Sequence, residues 1–172
     1  MATLRESLVS FWALDEASGN ALDSHGSNTL IETSGTIGTS GGGRDFEAGD
    51  TEYFSIPPNQ SLSCNGTSFT IAGWVTLESK PANAMTIASK WLASVNKREY
   101  SLVWLNTTDR FQLQVNGVGT SGGNVTVSSD LFGAPSTATR YFVCAWYDAE
   151  LQTINIQVNG GKVNSAYHTA GI

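Results

Sequence analysis

Apolar and polar residues alternate at period two along most of this chain, and sustained helical periodicity is absent. INIQVNG (154–160) shows the pattern, with Ile154, Ile156 and Val158 on one face and Asn155, Gln157 and Asn159 on the other. FQLQVNG (111–117) repeats it, with Phe111, Leu113 and Val115 opposed to Gln112, Gln114 and Asn116. Further strands are expected at 8–14, 53–56, 68–77, 85–91, 100–106, 110–115, 124–129, 141–148 and 153–159. They are separated by turn-forming clusters such as SGTIGTSGGG, IPPNQS and NGVGTSGGN. Many short strands at even spacing mean an antiparallel sandwich or barrel. The one helical candidate is a turn within ALDEASGNAL. Asn116-Gly117 and Asn159-Gly160 are hairpin turn signals, because both residue types tolerate positive φ. That chemistry explains the likeness of the two strands better than an internal duplication.

With 172 residues the chain reads as one domain, 1–172, able to bury a core without disulfides or metals. Charged residues make up 14 %, against about 25 % in an average domain, so neutral hydrogen-bonding groups must solvate the surface. Nine basic residues within a net charge of −6 argue against nucleic acid. No apolar run approaches the ~20 residues of a membrane span. MATLRESLVSF lacks the basic and long apolar regions of a secretory signal, which leads to an expectation of assembly in the cytoplasm and release by lysis. Cys64 and Cys144 have no metal-ligand spacing and read as one loop thiol and one packed strand thiol. The N-x-S/T sequons at Asn59, Asn65, Asn106 and Asn124 are expected to stay unmodified.

Motifs for chemistry are weak. GVGTSG (117–122) matches a dinucleotide fingerprint formally, but NVTVSS follows it where a helix is required. Asp45, Glu47, Asp50 and Glu52 form the densest acidic stretch. Their spacing around Ala48-Gly49 suits a solvated turn better than a pair of catalytic carboxylates. His25 and His168 lie in polar, loop-like sequence with no neighbouring nucleophile. Asp15, Asp23 and Asn28 offer oxygens to calcium without a supporting spacing, so neither metal nor cofactor is expected.

The aromatic residues say more. Trp12, Trp74, Trp91, Trp104 and Trp146 all fall in or at the end of an expected strand, and most should be core. Trp146 is the exception: if Val143 and Ala145 face inward, Phe142, Cys144 and Trp146 face out, beside the amides of 153–159. Sugar hydroxyls donate and accept hydrogen bonds, as do Asn and Gln, and an indole offers an apolar face to a pyranose ring. The candidate ligand-binding set is therefore Trp146, Gln112, Gln114, Asn155 and Gln157, on one outer, concave sheet. Amides that simply face water are the competing account.

Four segments together resemble the laminin-G-like domains of the concanavalin A-like lectin/glucanase superfamily. SLVSFWALDEASGNALDSHGSN resembles their opening, with a D-x-x-G-x-N loop at Asp23, Gly26 and Asn28. GGGRDFEAGDTEYFSIP is similar to the G-x-x-F-x-G…Y-x-x-I/V-P segment. SFTIAGWV resembles the fTi-x-x-W-v strand, and YFVCAWYDAELQTINIQVNGGKV the paired strands ending in Tyr-Asp and Val-Asn-Gly. The resemblance implies an all-β, antiparallel jelly-roll sandwich that binds glycan or protein. Neither E-x-D-x-E nor E-x-D-x-x-E, the marks of the glucanase branches, is present, so it argues against an enzyme. After the VNG hairpin such domains continue to a closing strand beside the N-terminal one, whereas this sequence reaches SAYHTAGI. The strand at 8–14 would then have an open neighbour, a template for a partner chain. A fragment, a differently closed variant and a subunit completed by its neighbour all fit. The functional expectation is a non-catalytic adhesion module on a virion or other extracellular assembly, with a glycan or surface polysaccharide and neighbouring subunits as partners. A purely structural decoration subunit is the alternative.

Overall fold

The structure, a computed structural model, describes residues 5–47, 49–64, 66–92, 97–117 and 123–168. It is nearly all β, with antiparallel pairing throughout the described strands. The chain divides into two compact units, one ending at Leu62 and the other beginning at Ser63.

The N-terminal unit holds short strands. β1 (Ile31–Thr33) pairs with β4 (Tyr53–Ser55), and β2 (Gly38–Ser40) with β3 (Gly43–Asp45). Gly41 and Gly42 join β2 to β3 at φ of 58° and 79°, a turn that needs positive φ at both positions. Arg44 is the buried member of this hairpin. Its guanidinium donates to the carbonyls of Glu16 (2.6 Å) and Gly19, meets Glu32 at 3.3 Å, and lies over the Phe54 ring.

Residues 8–14 do not form the expected strand. They carry a single bridge, Trp12 to Asp23, and Leu14 turns the chain with φ of 57°. The cause is local. The Asp23 carboxylate accepts the N–H of Phe11, and the Phe11 carbonyl accepts from the N–H of Ser24, so groups a sheet neighbour would use are already paired. No helix forms at 13–22, where the chain bends instead.

The C-terminal unit is a sandwich of two four-stranded sheets. One has the order β12-β11-β10-β5, from β12 (Asn164–Tyr167), β11 (Thr153–Val158), β10 (Arg140–Asp148) and β5 (Phe69–Thr76). The other has the order β6-β7-β8-β9, from β6 (Met85–Leu92), β7 (Lys97–Leu105), β8 (Arg110–Asn116) and β9 (Asn124–Ser128). Ile154, Ile156 and Val158 from the first sheet and Phe111, Leu113 and Val115 from the second are all buried in one core cluster. Burial of each contributes roughly 1.5–3 kcal/mol relative to exposure. Trp104 is part of this core and donates from Nε1 to Asp109 at 3.0 Å.

Of the two Asn-Gly signals, Asn159-Gly160 forms the expected turn, at φ of 51° and 66°, closed by the Gly161 N–H on the Val158 carbonyl. β8 instead runs through Asn116 and leads to β9 by a longer connection. Residues 118–122 of the glycine-rich match, and the sequon at Asn65, lie outside the described residues.

Candidate functional site

Strand parity decides which side chains leave the sandwich. On β10, Tyr141, Val143, Ala145 and Tyr147 are buried, so Phe142, Cys144 and Trp146 stand on the outer face. Register then sets their neighbours: Trp146 lies opposite Asn155 and Thr70, Cys144 opposite Gln157 and Ala72, and Phe142 opposite Trp74. Trp146, Asn155 and Gln157 therefore share one surface, the outer face of sheet β12-β11-β10-β5. Gln112 and Gln114 do not join them. Both sit on β8, whose sheet lies across the core, so the five residues occupy two opposite outer faces instead of one. The correction follows from the core itself: the strands carrying the two amide rows face each other through their apolar residues, so their polar sides must point apart.

Most of these amides are already bonded within the protein. Gln112 donates to the Ser128 hydroxyl (3.0 Å) and accepts from Gln114 (3.2 Å). Asn155 is buried; its Oδ1 accepts from Ser165 (2.6 Å) and its Nδ2 donates to the Thr153 hydroxyl (3.1 Å). Gln157 is half-buried and donates to the Gly161 carbonyl (2.6 Å). These bonds tie strand to strand and residue to residue along the sheets.

The aromatic residues are less committed to the interior. Trp74 is 61 % exposed. Its ring meets that of Phe142 at a centroid distance of 5.2 Å with planes tilted by 56°, and the Arg140 guanidinium lies 5.0 Å from its centroid. With Asn159 these residues line an open depression. Asn159 is fixed by two bonds to Phe142: its N–H donates to the Phe142 carbonyl and its Oδ1 accepts the Phe142 N–H, each at 2.8 Å. Half-buried Trp146 and 78 %-exposed Tyr167 stand on the same face.

The expectation that most tryptophans are core does not hold: of the five, Trp104 is in the buried core, Trp12, Trp91 and Trp146 are half-buried, and Trp74 is exposed. The parity of FTIAGWVT held the signal, since Phe69, Ile71 and Val75 pack inward and Trp74 falls on the opposite set. The alternation that places Trp146 outside also places Phe142 there. Arg140 and Asn159 carried no comparable signal, because their roles depend on the register between β5, β10 and the turn after β11.

Both cysteines are free thiols. Burial pushes Cys64 up to about 12, with the Glu99 charge adding to the shift and Lys90 opposing it. Burial also raises Cys144, between the outward rings of β10. In the N-terminal unit, the Asp23 carboxylate accepts four backbone N–H groups. Asn28 donates to Ser10 (2.7 Å) and accepts from Asn59 and Ser61 (3.1 Å). Of the residues considered for calcium, Asp23 and Asn28 thus serve as loop fastenings. Glu52 accepts the Glu47 N–H at 2.8 Å, which places the acidic stretch in a turn.

A family model of the concanavalin A-like lectin/glucanases superfamily, of laminin-G type, matches residues 48–172. That span contains every strand from β4 to β12 and all the residues of the aromatic depression. The matched span starts beyond SLVSFWALDEASGNALDSHGSN. No curated protein matches the chain. Laminin-G-like domains are typically non-catalytic, while the superfamily also includes glycosidases; membership supports a carbohydrate-binding or adhesion-type module. The sandwich, its register and this match agree, and the chain belongs to the laminin-G-like group of the concanavalin A-like lectin/glucanases superfamily.

Proposed function

We propose that the protein is a non-catalytic adhesion module whose ligand is a glycan or surface polysaccharide, held on the outer face of sheet β12-β11-β10-β5. The observation that carries this reading is the exposed Trp74 ring in contact with Phe142, beside a fixed Asn159. Sugars present apolar C–H faces and hydroxyls together, and a ring platform edged by amides is complementary to both. Glycoside hydrolysis calls for two facing carboxylates. Among the described outward residues of these four strands the one acid is Asp148, whose Oδ1 accepts the N–H groups of Glu150 and Leu151 in the following turn. That supports a binding role over a catalytic one.

The proposal extends to display on an extracellular assembly such as a virion surface or fibre. The low charge content suits a subunit set among neighbours. Val9 and Phe11, each about half exposed in the 8–14 segment, are the apolar side chains offered to such a neighbour there.

Glycan-array binding tests the saccharide reading. The wild-type protein is expected to bind, and Trp74→Ala or Phe142→Ala to weaken binding by roughly tenfold, the equivalent of one buried aromatic contact. Unchanged binding by both variants would move the site elsewhere.

A further inference from the structure

We propose that the saccharide held by this face is anionic and that Arg140 selects it, an inference that rests on the saccharide reading above. Arg140 opens β10 opposite Thr76, at the edge of the depression lined by Trp74, Phe142 and Asn159. Its guanidinium carbon lies 5.0 Å from the centroid of the Trp74 ring, a cation–π contact that uses none of its N–H donors as hydrogen bonds. Four other cations are ion-paired: Arg44 meets Glu32, Arg110 meets Asp130, Lys80 meets Asp109 and Lys90 meets Glu99. Among the described residues no carboxylate forms an ion pair with Arg140. The protein's net charge is −6, so this guanidinium on an aromatic shelf stands against an overall negative balance.

Asn159 adds a second donor. Its Oδ1 already accepts the Phe142 N–H, so what it has left to offer a ligand is the Nδ2 donor. A sugar ring seated on Trp74 and Phe142 would place a substituent near both donors. A carboxylate fits best, because its two oxygens match the two-pronged edge of a guanidinium. A sulfate ester offers related oxygens, and a neutral hydroxymethyl or methyl ester forms no ion pair with the guanidinium.

The test is titration of the full chain with galacturonate, glucuronate and sialate oligosaccharides, each beside its methyl ester, and with a sulfated galactan of matched length. The acid forms are expected to bind about tenfold more tightly than their esters, the size of one charge-assisted hydrogen bond. Arg140→Gln should remove that preference, so that acid and ester forms bind alike. Because Arg140 is exposed at the first position of its strand, the variant should fold as the wild type does. Equal or better sulfate binding with the same dependence on Arg140 supports an anionic ligand read by charge more than by planar shape. Ester binding equal to acid binding, or a preference that survives Arg140→Gln, overturns this inference and leaves the saccharide reading standing. Binding of none of these saccharides, sulfated galactan included, overturns both.

Discussion

Asp23 gathers the loop around itself. Its Oδ1 accepts the N–H groups of Phe11, His25 and Gly26, and its Oδ2 accepts that of Asn28. Gly26 must pass so close that an added Cβ would lie 2.5 Å from the Val9 carbonyl and 2.7 Å from the Asp23 carboxylate. The D-x-x-G-x-N spacing was legible in the sequence. The convergence of donors was not, because the Phe11 N–H comes from twelve residues away. Partial burial works to raise the Asp23 pKa, but the four donors outweigh it and hold the carboxyl well below the usual range. A depressed folded-state pKa contributes stability above the unfolded value of about 3.9, and that contribution fades as pH falls from there toward the folded value. Hydrogen exchange at the Phe11, Gly26 and Asn28 amides, corrected for intrinsic rate, should therefore lose protection as pH is lowered below about 4. Asp23→Asn should show reduced protection already at neutral pH, since an amide nitrogen cannot accept the Asn28 N–H. Protection independent of pH in the wild type would show that the clamp does not hold the loop.

Among the elements, strands with one apolar face were readable within a residue or two, as β5, β8, β10 and β11 show. Failures came where local hydrogen bonds outrank alternation. Residues 8–14 alternate well, yet their backbone is claimed by the Asp23 loop. The β2–β3 hairpin is hidden in a glycine-rich stretch whose pairing depends on two positive-φ residues, with a charged arginine as its inward member. β12 was missed because its pattern is NSAY: partly buried Asn164 sends its Oδ1 to the Leu131 N–H instead of supplying an apolar contact. Past β12 comes His168, fully buried, edge-on to Tyr147 at 5.7 Å, with no hydrogen-bond partner for either ring nitrogen among the described residues. A buried polar group without a partner costs about 1–3 kcal/mol. His168→Leu should consequently match or exceed the wild type in denaturant midpoint, with the gain bounded by that figure. A clear loss of stability would mean that the imidazole makes a bond worth keeping.

For the molecule as a whole, the question the sequence poses is what its rows of carboxamides are for. Composition made them conspicuous, since neutral amides replace the charges of an ordinary surface. Alternation set them opposite the core-facing residues, yet Gln112, Asn116 and Asn155 are buried, and alternation could not say that β8 and β11 belong to opposing sheets, because strand order is set by contacts far apart in sequence. On the β8 face, Gln112 bridges Ser128 and Gln114. On the other face, Asn155 and Gln157 are likewise bonded to Ser165, Thr153 and Gly161, while Trp74 and Phe142 provide the open ring surface. An amide ladder of this kind satisfies donors and acceptors mutually without the desolvation penalty of ions. The two faces should thus answer to mutation in opposite ways. Replacing Gln112 and Gln114 together by alanine should lower unfolding free energy by about 0.5–1.5 kcal/mol for each hydrogen bond lost, and leave any saccharide affinity within roughly twofold. Trp74→Ala, at a site already mostly in water, should leave the denaturant midpoint nearly unchanged while weakening the ligand. If instead the β8 double variant loses binding and keeps its stability, the recognition surface lies across the core from the aromatic depression, and its carboxamides serve the ligand before the fold.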